Sequence, residues 1–95
     1  MLEIKLYVTV DEIKETYKNG ADGEIITVSL PNGKTYCFET ESQTEYGNHF
    51  CVLYCYEQEN EQTVDKFSTF GLLKDLTECE SDREVINEIL DYLGM

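Results

Sequence analysis

Two runs of β-forming residues, Glu24-Ile25-Ile26-Thr27-Val28-Ser29-Leu30 and Lys34-Thr35-Tyr36-Cys37-Phe38-Glu39-Thr40, stand on either side of Pro31-Asn32-Gly33. β-Branched and aromatic side chains fit a pleated, half-buried surface, and the three residues between them are strong turn formers. The pair reads as a β-hairpin, so an antiparallel sheet is the frame that the rest of the chain must fit. Polar residues from Glu41 to Asn48, with Gly47 among them, predict a loop, and His49 to Glu57 then form the longest strand candidate. Three strand signals in succession imply a meander.

Before the hairpin, residues 2–8 alternate, with Leu2, Ile4, Leu6 and Val8 on one face and Glu3, Lys5 and Tyr7 on the other, as in a half-buried strand. Thr9 and Glu12 have capping-box spacing, Ile13 and Tyr17 fall at i and i+4, and Asn19-Gly20 is a stop, so a helix is predicted over 10–18. After the long strand, Val64, Phe67 and Phe70 recur at threes and predict a helix that Gly71 ends or kinks before Leu72, Leu73 and Leu76. Ser81 with Glu84 repeats the capping-box spacing. Val85, Ile86, Ile89, Leu90 and Leu93 then make an apolar helical stripe closed by Gly94. The order β-α-β-β-β followed by C-terminal helices predicts an α+β fold, an antiparallel sheet with helices packed on one face. Ninety-five residues close one core but cannot divide into two, so residues 1–95 are read as one domain.

The chemistry such a fold can carry is limited by its residues. There is one histidine, one arginine and no glycine-rich phosphate loop. His49 and Cys51, two residues apart in one strand, are separated by about 7 Å, too far for a nucleophile and base pair. Cys51 and Cys55 are about 13 Å apart along the same strand, so one zinc ion cannot take both. The acids never fall into a calcium-loop spacing. No enzyme, metal or cofactor is expected, and the four cysteines are read as reduced, small buried hydrophobes of a cytoplasmic protein. No apolar run approaches the roughly 20 residues that span a bilayer, so no membrane association is expected.

Charge is the informative feature. Twenty acids against seven bases give a net charge of −13, and the excess is regional. Residues 1–34 sum to −2, residues 35–65 to −7 without a single base, residues 66–74 to +2 and residues 75–95 to −6. Such a chain repels nucleic acid and anionic membranes and favours a basic protein surface. In the base-free stretch Glu39, Glu41 and Glu45 lie about the predicted loop, while Glu57, Glu59, Glu61 and Asp65 gather at the other end of the long strand. Carboxylates two residues apart on an extended chain repeat at about 7 Å, as phosphates do along a single strand. These seven acids are the candidate partner-binding residues, and a solvated rim that merely keeps the protein soluble is the commoner explanation for any one of them.

The segment from Glu59 to Phe70, ENEQTVDKFSTF, with a hairpin before it and acids after it, resembles small phage anti-CRISPR proteins of the type II-A class that mimic DNA. The matching positions are Val64, Lys66, Phe67 and Phe70. The resemblance implies an acidic inhibitor acting in the host cytoplasm, whose partner is the Arg- and Lys-rich surface of a CRISPR effector nuclease. It assigns no inhibitory residue. Two other readings stand beside it: an interaction module using exposed tyrosines such as Tyr46, Tyr54, Tyr56 and Tyr92, and a binder of a small molecule or nucleotide messenger.

Overall fold

A computed structural model describes residues 2–95. In chain order the elements are β1 (Glu3–Leu6), α1 (Val10–Asn19), β2 (Gly23–Ser29), β3 (Lys34–Glu45), β4 (Asn48–Glu59), β5 (Gln62–Ser68), α2 (Leu72–Thr77) and α3 (Asp82–Tyr92). The five strands form one antiparallel sheet in the order β1-β2-β3-β4-β5, so every strand neighbours the next in sequence. The fold is the α+β arrangement the sequence predicts, and the helices cover one face. Among the described residues no helix is long and apolar enough to cross a membrane.

The covered face is built from alternate positions. Ile26 and Val28 of β2, Phe38 and Thr40 of β3, and Cys51, Leu53 and Cys55 of β4 are buried there, against Ile13 of α1, Leu72, Leu73 and Leu76 of α2, and Val85 and Ile89 of α3. The ring of Tyr92 meets Phe38 edge-on at 6.1 Å, which places the end of α3 over β3. Both predicted helix starts are present. At α1 the capping box is reciprocal, whereas at α3 Ser81 caps the Glu84 N–H but the Glu84 carboxylate accepts from the Glu80 N–H.

Two predicted segments differ. Residues 41–48 are not a loop: β3 continues to Glu45 and returns through the two-residue turn Tyr46-Gly47, both with positive φ. Glu45 therefore sits at a hairpin tip, opposite Asn48. The composition misled because this stretch outruns its neighbours, with β2 ending opposite Thr40 and β5 opposite Tyr54. A two-stranded arm of residues 42–52 results, most of it solvated on both faces, where polar residues serve as well as apolar ones. Likewise, residues 62–68 form strand β5 rather than a helix. The Asn60-Glu61 turn, with both φ positive, aims the chain back along β4, whose edge N–H and C=O groups would otherwise lack partners. Of the three residues at helical spacing, Phe67 packs against the core while Val64 and Phe70 are exposed.

The arm rests on the end of α1. Gly20 caps that helix in the left-handed region (φ 61°), and a Cβ there would lie 2.9 Å from the Phe50 backbone nitrogen. Gly20→Ala combines backbone strain with a backbone clash, and is expected to cost more than about 1 kcal/mol. Denaturant midpoints check this; an unchanged midpoint would show that the arm does not bear on the helix.

Candidate functional site

The sheet face opposite the helices has no covering layer. Alternation places Lys5, Thr27, Cys37, Tyr56 and Lys66 in one row across it, and Glu24, Glu39, Tyr54 and Ser68 in the next. A bulge at Ile25 keeps Glu24 on this face, directly opposite Glu39. Like charges so placed destabilise a sheet. Asp22, Glu24, Glu39, Glu41 and Tyr56 line an open depression of about 500 Å³ there.

The two ends of this acidic group are electrostatically different. Glu41 accepts from the Tyr56 hydroxyl and pairs with Lys66 at 2.9 Å, and these bonds hold its carboxyl below the usual carboxylate range. Lys66 also lies 4.6 Å over the Tyr54 ring and 5.1 Å over Tyr56, and its ammonium is pushed up to about 12, first by the bond to Glu41. Asp22 is held low by accepting from the Ser42 N–H. Glu39 goes the other way: burial raises its pKa, followed by the repulsion of Glu24 and Glu41, with only a smaller opposing pull from Lys66. No salt bridge reaches Glu24 or Glu39 among the described residues.

A carboxylate whose folded pKa is raised makes the folded state bind its proton more tightly than the unfolded chain does. Stability is therefore lost as pH rises from the ordinary value, 4.5, through the raised one. Glu39→Gln removes that loss and the cross-strand repulsion, and is expected to stabilise by roughly 0.2–1 kcal/mol at neutral pH. At pH values below 4.5 the advantage should vanish. Urea midpoints of both proteins across that range measure it.

The seven predicted acids separate. Glu39 and Glu41 lie on the open face, and Glu45 is at the arm tip. Glu57 falls on the same side as Cys55 and pairs with Lys34 at 3.7 Å, Glu59 pairs with the same lysine at 3.6 Å, Glu61 is in the β4–β5 turn, and Asp65 is opposite Glu57. The far-end group is thus partly neutralised by a lysine that lies outside the base-free stretch in sequence. Asp22 and Glu24, outside the seven acids predicted from the sequence, join the open-face group, Asp22 by accepting from the Ser42 N–H and Glu24 through the β2–β3 register; the signal was Glu24 lying at the start of a strand destined to neighbour Glu39.

The remaining chemistry-bearing groups lie elsewhere. His49 Nδ1 is 3.2 Å from Thr44 Oγ1 on the arm. All four cysteines are free, and the thiol of buried Cys55 is pushed up to about 12, chiefly by burial. Asp75, Glu78, Cys79, Glu84 and Glu88 line a second acidic depression beside α2 and α3. Among the described residues no group of His, Cys, Asp or Glu converges closely enough to hold a metal ion.

Comparison with protein-family models, with curated proteins and with solved structures finds no match to this chain.

Proposed function

We propose that this protein is a non-catalytic inhibitor whose open sheet face occupies the basic, nucleic-acid-binding surface of an enzyme and displaces DNA or RNA from it. The observation that carries the reading is the Glu24–Glu39 pair: two carboxylates facing each other across neighbouring strands, without a salt bridge, on a face with no covering layer. A cationic side chain from a partner would relieve their repulsion, so an arrangement unfavourable to the free protein becomes favourable in a complex. Lys66 shows the chemistry within the same molecule, because an ammonium group already sits against Glu41, Tyr54 and Tyr56. The resemblance to DNA-mimicking anti-CRISPR proteins makes an RNA-guided nuclease the first partner to test. Those enzymes bind nucleic acid in a channel rich in Arg and Lys.

Tyr54 and Tyr56 are half-buried and engaged by Lys66, so they serve the acidic face rather than forming a separate aromatic module. A low-salt capture from cell lysate on immobilised protein tests the proposal. Proteins retained through this face should be nucleic-acid binders, and duplex DNA should elute them. Retention that duplex DNA leaves untouched would overturn it.

A further inference from the structure

We infer that the arm of residues 42–52 is a self-association surface, on which two copies join β4 to β4 about a two-fold axis at Phe50. Exposed strand edges recruit other strands unless they are short, charged, bulged or covered. β1 has four residues; β5 carries Asp65 and Lys66 and pairs with β4 through a register shift; the arm edge of β3 is covered where Asp22 accepts from the Ser42 N–H. The arm edge of β4 has none of these defences. Asn48 to Val52 contain no charged residue or proline, and their pairing with β3 is regular.

The free backbone groups can be assigned. Leu53 C=O accepts from the Thr69 N–H, so it faces the β5 side. By the alternation of an antiparallel ladder, the N–H and C=O of Cys51 and His49 face that side too, beyond Ser68 where β5 stops. A second copy running antiparallel fills the gap with His49 opposite Cys51 as a hydrogen-bonded pair, Phe50 opposite Phe50, and Asn48 opposite Val52. The interface is isologous and makes a continuous ten-stranded sheet.

This register brings together two otherwise unexplained residues. Tyr46 and Phe70 are each 95% exposed, and both have positive φ (51° and 31°), a conformation that is unfavourable for bulky side chains. The Tyr46-Gly47 turn of one copy would abut Thr69 of the other, which is bonded to Leu53 at the point where the chain leaves β5 into Phe70-Gly71. Phe70 lines a cleft of about 210 Å³ with Tyr17, Leu73 and Lys74. Charge favours the same contact. The arm carries a single acid, Glu45, and the segment it approaches, residues 66–74, has two lysines and no acid. Nowhere else in the sequence is a charge of −13 so locally relieved.

Sedimentation velocity and disulfide trapping test the inference, with Cys37→Ser as background to remove the half-exposed native thiol. The protein should dimerise at high concentration, and more readily as salt screens the like net charges, the reverse of the salt response expected for a basic partner. Phe50→Cys should form a disulfide-linked dimer, because a residue on the two-fold axis in a non-hydrogen-bonded pair has suitable Cα spacing. Asn48→Cys and Val52→Cys should each stay monomeric alone and cross-link when mixed. His49→Pro, which removes an outward N–H, should abolish dimerisation. A protein that stays monomeric at all salt concentrations overturns the inference, as does Phe50→Cys cross-linking no faster than Val64→Cys on the β5 edge.

Discussion

Ile89→Ala is expected to destabilise the protein by roughly 2–5 kcal/mol, a substantial part of the 5–15 kcal/mol typical of a folded domain. Ile89 has no exposed surface and belongs to the core shared by the sheet and all three helices. Truncation removes the transfer free energy of the lost carbons and leaves a cavity that the flanking helix and sheet cannot close. Ile86, one turn earlier and only partly buried, should cost less when truncated. Urea midpoints at a fixed slope measure both. Equal losses, or no loss at Ile89, would mean that α3 does not present this stripe to the sheet.

Reversing Glu24 and Glu39 together to Lys is expected to weaken binding to a basic partner by at least about 100-fold, the equivalent of two lost charge pairs at ~1.4 kcal/mol each. The fold should survive, since the substitutions replace one like-charged pair by another on an open face. Reversal of Glu59 and Glu61 should do much less, because Glu59 already shares Lys34 and Glu61 lies in a turn remote from Glu39 in the register. Binding isotherms for both double variants check the contrast. If both lose affinity equally, net charge rather than this face governs binding.

The sequence pattern was most legible where one face of an element is buried. The alternation of residues 2–8 and the stripe from Val85 to Leu93 correspond to elements packed on the core, and the exposed Pro31-Asn32-Gly33 turn joins two strands that are packed there as well. Legibility failed where backbone pairing, rather than burial, decides structure. The arm and β5 are ordered mainly by backbone ladders, β3 with β4 in the arm and β5 with β4, and their exposed side chains carry no period-2 signal. For the same reason only part of the candidate site was visible. Acidity along the chain marked Glu39 and Glu41, but pairing of β2 with β3 was needed to set Glu24 against Glu39, and the register of β3 with β4 to bring Lys34 to Glu57 and Glu59.

The proposed function makes this sheet face and nucleic acid competitors for one basic surface. Its most direct test is a titration of the protein into an RNA-guided nuclease holding labelled target DNA, at several salt concentrations, with the Glu24→Lys/Glu39→Lys variant in parallel. The wild-type protein should displace the DNA, displacement should weaken steeply as salt rises, and the variant should fail to displace it. Binding to the nuclease without loss of DNA, or displacement by the variant as effective as by the wild type, would contradict it.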